Sequence, residues 1–269
     1  MSVVANQSRK PQSAADVHQY ASPVDVLGIP ITPETLSQAL VRVDDAIRHG
    51  RRLDVGVVNA AKIVNMQKDS SLRQAVLSSD VIYADGMSVV WASRILNCPL
   101  PERVAGIDLM NGIMAQGSSR GYRVYCLGAK QEIVDVVVEN FRATYPGAVI
   151  CGSHHGYFDA SGEQEVATAI RDARPDVLFV AITSPRKENF MAKWADLMNV
   201  PVVHGVGGSF DVVAGLVERA PPVWQRLGLE WLYRVKQEPR RLWRRYLVTN
   251  TAFLRMLVAA KVKSIVRSR

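Results

Sequence analysis

Short runs of consecutive apolar residues alternate along this chain with segments in which apolar residues return every three to four positions. The runs are LDVGVVN (53–59), DVIYAD (80–85), YRVYCLG (122–128), AVICGSHHG (148–156), DVLFVAI (176–182) and VPVVHGVGG (200–208). Continuous hydrophobicity over so few residues suits strands covered on both faces. The segments QEIVDVVVENFRATYP (131–146) and EQEVATAIRDARP (163–175) instead have helical periodicity. Regular exchange of the two patterns predicts an α/β fold with a parallel, doubly wound sheet. Ligands of such sheets bind beyond the carboxyl ends of the strands. The residues that close each run therefore matter most: Asn59, Asp85 with Gly86, Gly128, His154 with His155, Thr183 to Lys187, and Gly205 to Asp211.

The alternation stops near Arg219–Pro222, where a double proline precedes an Arg-rich segment. Residues 1–23 read as a flexible leader without the apolar core of a signal peptide, 24–220 as the α/β body, and 221–269 as a helical appendage. Within the appendage Trp243, Leu247, Leu254, Leu257, Val258 and Ile265 share one stripe at helical spacing. Arg241, Arg244, Arg245, Arg255, Lys263 and Arg267 fall outside it, and Lys261 falls within it, where its stem could snorkel. The pattern fits one interfacial helix, or two shorter ones, on a membrane surface. The competing reading packs the stripe on the chain's own body or on a sister subunit. A spanning helix is disfavoured, because the most apolar stretch, YLVTNTAFLRMLVAA, is broken by Asn250 and Arg255.

Charge sharpens this division. The chain carries +8 overall, yet residues 226–269 hold 12 Lys/Arg against 2 Asp/Glu, so the rest is close to neutral. A uniformly basic protein would suggest nucleic acid; a neutral body with a basic, apolar-interleaved tail points instead to an anionic membrane leaflet. With 269 residues and 48% hydrophobic content, the chain can build one large domain plus an appendage. Cys98, Cys126 and Cys151 show no metal-site spacing and read as buried free thiols of a reducing compartment.

Chemistry concentrates at the strand ends. Asp85 follows a buried strand and precedes Gly86, a position from which a carboxylate can take a proton from a bound hydroxyl or, alternatively, cap the helix that follows. GVGGSFD (205–211) offers backbone at Gly207 and Gly208 that can approach a phosphate or sugar closely, or makes a tight turn without a ligand. It is not a dinucleotide fingerprint, since Phe210 occupies the sixth position. TSPRKENF (183–190) brings Arg186 and Lys187 to the mouth of the sheet, as phosphate contacts or as a solvated first turn. His154 and His155, being adjacent on a strand, are expected one buried or hydrogen-bonded and one exposed. No Asp-x-Asp pair is present to hold a divalent metal on a diphosphate, so arginines and lysines would have to neutralise such a group.

Taken together, VVNAAK (57–62), YADGMSVVW (83–91), ERVAGIDLM (102–110), SPRKENF (184–190), GVGGSFDVVAG (205–215), RAPPVWQRLGLEWLYR (219–234) and EPRRLWRRY (238–246) resemble the bacterial WecG/TagA/CpsF glycosyltransferases, in the family's order. The resemblance implies a Rossmann-like catalytic body and a C-terminal membrane-associating appendage that completes the site. It implies an inverting transfer, without metal or cofactor, from a UDP-sugar to a polyprenyl-diphosphate-linked saccharide at the cytoplasmic face of the inner membrane. Asp85 matches the family's general base. Asn59, Arg103 and Asp211 match its substrate-binding positions, and Arg234, Arg241 and Arg244 match the appendage arginines that meet the donor diphosphate. Two positions depart from the common pattern: Val57 stands where many relatives have Thr, and Lys187 where they have Gln. The donor stays open among glucose, N-acetylmannosamine and its uronate, as does a homo-oligomer formed through the surface that the appendage would cover. Two rivals remain from other classes: a nicotinamide-dependent oxidoreductase, which lacks its fingerprint here, and a non-catalytic membrane adaptor.

Overall fold

The apolar runs become strands. The computed structural model describes residues 20–267, without the side chains of Arg241 and Arg267, so most of the leader lies outside the described residues. The chain begins with β1 (Val24–Asp25), β2 (Pro30–Ile31), α1 (Leu36–Arg48), β3 (Leu53–Val58), α2 (Ala60–Met66), α3 (Ser70–Leu77), β4 (Val81–Ala84), α4 (Met87–Ile95) and α5 (Gly106–Arg120). It continues through β5 (Arg123–Gly128), α6 (Gln131–Thr144), β6 (Val149–His154), α7 (Glu163–Ala173), β7 (Val177–Ala181), α8 (Arg186–Met198), β8 (Val202–Gly205) and α9 (Ser209–Val213). Last come α10 (Pro222–Arg226), α11 (Glu230–Gln237) and α12 (Pro239–Arg267).

β1 and β2 form a small antiparallel pair, while the other strands make one parallel sheet in the order β4-β3-β8-β7-β5-β6. Alternate residues of each strand serve opposite faces. Val55, Tyr83, Cys126, Phe179 and Val202 join α1, α5, α6 and α9 in one cluster. On the other face, Val58, Ile82 and Ala84 meet α2, α3 and α4, while Leu127, Leu178 and Val203 meet α7 and α8. α6 shows how the pattern selects the face: Val134, Val137, Val138 and Phe141, spaced for one helical stripe, are its buried residues.

The chain leaves β3 through α2 toward one face and leaves the neighbouring β8 through α9 toward the other. This divergence places a topological switch point at the carboxyl ends of β3 and β8, beside that of β4, and doubly wound sheets bind ligands in the crevice at such a point.

The striped part of the tail is one helix, α12, with two apolar rows, which corrects the single stripe. Leu242, Phe253 and Leu257 are buried, the last two in the cluster with α2, whereas Trp243, Leu247, Leu254, Val258 and Ile265 are exposed. Leu257 therefore belongs to the docked row, because it lies one turn beyond Phe253. Among the described residues, no helix is long and apolar enough to cross a membrane. Two smaller expectations also change. Only Cys126 is buried, with Cys98 and Cys151 half-buried. His154 and His155 are both half-buried, with rings 4.5 Å apart, because β6 is the edge strand and offers only partial cover.

Candidate active site

Asp85 leaves β4 half-buried, with both carboxylate oxygens engaged. Oδ1 accepts from the Gly106 N–H at 2.9 Å, and Oδ2 faces the Asn59 side-chain amide, Nδ2, at 3.4 Å. Asn59 ends β3 and caps α2, its Oδ1 accepting from the Lys62 N–H at 3.1 Å. One amide orientation satisfies both contacts, so the cap of α2 fixes the group that faces Asp85. The cap expected of Asp85 also exists, but on another helix. Gly86 begins α4 without a side-chain cap, whereas Asp85 satisfies the first N–H of α5, whose own N-cap residue, Ala105, has no polar side chain. A helix N-terminus favours an anion there. Each carboxylate oxygen keeps a lone pair for a proton, so the tethered group can still act as a base.

Across the crevice, β8 ends in the glycine-rich turn. Gly207 has a left-handed φ of +54°, and a Cβ added there would meet nothing within 4 Å. Gly208 is exposed, and a Cβ added there would lie 3.7 Å from the Asp211 carboxylate. The turn thus presents open backbone toward the crevice, with Asp211 on α9 half-buried beside it.

Lys187 lies beneath this surface rather than at its mouth. Its Nζ is 3.3 Å from Glu188, which also pairs with Lys62 at 3.0 Å, and all three side chains are largely buried. Gly205 makes room for Lys187: a Cβ there would come within 2.9 Å of the ammonium. Burial, followed by repulsion from Lys62, pushes the Lys187 ammonium down to about 8, and Asp85 lies within its electrostatic reach. Burial pushes the Glu188 carboxyl up, but Lys187 and Lys62 outweigh it and hold the group at about 2. Arg186 is likewise spent within the body, donating to the carbonyls of Gly156 and Phe158.

Arg103 joins the body to the tail. It pairs with Glu230 at the start of α11, meets Asp108 at 3.3 Å and donates to Gln225 of α10 at 3.1 Å. Arg219 binds the same Asp108 at 2.7 Å and the same Gln225 at 3.1 Å. The turn between α10 and α11 also lies against α4, since a Cβ on Gly228 would meet the Trp91 ring at 2.5 Å. The helices that follow the double proline are thereby seated beside the loop that carries Arg103 and the helix that follows Asp85. Arg234 and Arg244 are exposed, Arg244 standing 5.4 Å over the Trp243 ring. The Arg241 side chain lies outside the described residues.

Asp85, Asn59, Gly207, Gly208 and Asp211 thus come together at three adjacent strand ends, with Lys187 under them and Arg103 at the tail junction. Sequence reasoning missed Lys62, Glu188, Glu230 and His204. Only His204 left a readable sign, as a polar residue inside an apolar strand.

The description "Glycosyl transferase WecG/TagA/CpsF family" matches residues 24–267. The chain belongs to this family. It is also 39% identical over 175 residues to an N-acetylglucosaminyldiphosphoundecaprenol N-acetyl-beta-D-mannosaminyltransferase of Bacillus spizizenii, an overlap of 65% of this chain and 67% of that protein. The protein is therefore a glycosyltransferase, and the Bacillus relative's name gives that protein a lipid-diphosphate-linked sugar as acceptor.

Proposed function

We propose that the protein transfers N-acetylmannosamine from its UDP-activated form to a polyprenyl-diphosphate-linked N-acetylglucosamine, with inversion at the sugar's anomeric carbon. The observation that carries this reading is Asp85, held from two sides at the switch-point crevice with room left for a proton. Asp85 takes the proton of the acceptor hydroxyl as that oxygen forms a bond to the anomeric carbon. The bond from that carbon to the diphosphate breaks, and UDP leaves with the electron pair. The chain has no Asp-x-Asp pair, so the reading gives the departing charge to Arg103, Arg234, Arg241 and Arg244, without metal. Gly207 and Gly208 supply backbone donors to the nucleotide, and Asp211 and Asn59 orient the substrates.

The identity of donor and acceptor is supported by the Bacillus relative's activity. Lys187 is buried against Glu188, so in this reading it supports the site from beneath, and the departure from Gln there gives no separate argument for a hexose. Residues 221–269 act as the appendage. Their exposed apolar row and arginines rest on the anionic cytoplasmic leaflet of the plasma membrane and bring the site to its lipid acceptor.

The test measures UDP release from a panel of UDP-sugars, with a short-chain lipid-diphosphate N-acetylglucosamine acceptor and a chelator present. Acceptor-dependent release is expected from UDP-N-acetylmannosamine, falling about 100- to 10,000-fold in Asp85→Asn without a change in melting temperature. Release from another sugar alone would correct the donor. A native rate in Asp85→Asn would remove the base assignment.

A further inference from the structure

His204 is a fully buried polar residue in the otherwise apolar β8 strand, on the face covered by α5. Its Nε2 lies 3.0 Å from the Gly106 carbonyl oxygen. A carbonyl only accepts, so this nitrogen carries the ring proton. Nδ1 has no hydrogen bond of normal geometry among the described residues, although the Val55 backbone of the neighbouring β3 strand also lies near the ring. Burial pushes the imidazole down to about 4, so the ring is neutral near pH 7. Its edge packs on Phe179, with centroids 6.3 Å apart. Leu would fill this space without the unpaired buried nitrogen, which costs about 1–3 kcal/mol. The bond to Gly106 is what the imidazole supplies in return.

Gly106 is held at both ends. Its carbonyl accepts from His204, and its N–H donates to Asp85. An added Cβ would rest 3.7 Å from the imidazole and equally far from Val57 Cγ2, so the first residue of α5 lies directly on the ring. The next residue of β8, Gly205, faces the opposite side, where Lys187 fills its place. The end of β8 thus supports the crevice through one buried polar group on each face.

We propose that His204 is a positioning residue for Asp85: by holding the Gly106 carbonyl it sets the start of α5, and so the direction in which the Gly106 N–H presents the Asp85 carboxylate to the acceptor hydroxyl. The inference rests on Asp85 being the base. A displacement of about 1 Å at such a group costs on the order of 100-fold in rate, whereas donor binding, assigned to the turn after β8 and to the arginines, does not pass through Gly106.

The experiment compares His204→Leu, which removes the donor, with His204→Gln, which returns an N–H at similar reach. Turnover, donor KM, UDP affinity by calorimetry and thermal melting are measured for each. His204→Leu is expected to lose about 10- to 100-fold in kcat, with donor KM and UDP affinity within about twofold of native, and His204→Gln to recover most of that loss. Native kcat in a folded His204→Leu overturns the proposal. So does a loss shared equally by UDP affinity, or a His204→Gln enzyme as slow as the Leu variant. Should His204→Leu fail to fold, His204→Asn, polar but too short for Gly106, takes its place against Gln. Asp85→Asn is assayed alongside. Native turnover there removes the base assignment, whereas a slow Asp85→Asn beside an unaffected His204→Leu removes only the positioning role.

Discussion

Glu188 holds together the charges buried under the crevice. Two lysines converge on it, Lys62 at 3.0 Å and Lys187 at 3.3 Å, and it has no other cationic partner among the described residues. Glu188→Gln would leave two largely buried ammoniums without a counter-charge, and a loss of about 3–5 kcal/mol is expected in denaturant titration. The same residues set a pH signature. Glu188 titrates at about 2 in the folded chain against an ordinary 4.5, so its stabilisation is complete above about 4.5 and disappears as pH falls toward 2. Lys187 titrates at about 8 against 10.5, so the unfolded chain binds its proton more tightly and stability rises with pH between those values. Denaturation midpoints across pH should show a shallower acid-side fall in Glu188→Gln, where Asp45 and Glu163 still contribute, and lose the alkaline rise in Lys187→Met. A rise that persists in Lys187→Met would assign it to another group.

α12 carries two apolar rows along one helix, and the proposed membrane contact falls to only one of them. Its docked row, with Phe253 and Leu257, completes the cluster over α2, and its exposed row, with Trp243, Leu247, Leu254 and Val258, covers nothing within the described chain. Phe253→Ala is expected to cost about 3–5 kcal/mol of stability. Vesicle binding by the folded fraction should stay near native. Trp243→Ser with Leu247→Ser should do the reverse, leaving the melting temperature nearly unchanged and weakening co-sedimentation with anionic vesicles by about tenfold or more. Equal vesicle binding in the double variant would leave the exposed row without its membrane role.

At the scale of the whole molecule, body and tail are bound by unlike forces. The Arg103–Glu230 pair, with Asp108, Arg219 and Gln225, is a partly solvated polar junction, whereas the α12–α2 contact is apolar. Ending the chain at residue 220 removes both. The remaining body should still fold, because the sheet and its flanking helices stay whole. It should be less stable, since Phe253 and Leu257 each take away about 1.5–3 kcal/mol of burial. Transfer to a lipid acceptor and vesicle binding should both be lost, as assayed by UDP release and co-sedimentation. Full transfer activity in the shortened chain would show that the tail has no part in the site.

The sequence by itself determined the sheet. Each apolar run became one of its strands, within a residue or two at each end except the last, whose strand stops three residues before the run does at the glycine-rich turn, because continuous hydrophobicity over so short a length suits a strand buried on both faces. It also marked Asp85, Asn59, Gly207, Gly208 and Asp211, since strand ends are where such a sheet binds ligands and motif order tied these positions to one family. Tertiary structure decided what each neighbour does. Lys187 stood in the sequence at the mouth of the sheet, but Gly205 on β8, paired with the β7 strand that leads into Lys187, has no side chain and leaves the space into which the lysine folds beneath the surface. The stripe on α12 divided into two because α2 covers one side of the helix, and helical period alone carries no information about what lies opposite. The supports of Asp85 come from β3, α5 and, through Gly106, β8; residues 59, 85, 106 and 204 share no local pattern, and only the order of the strands brings them together.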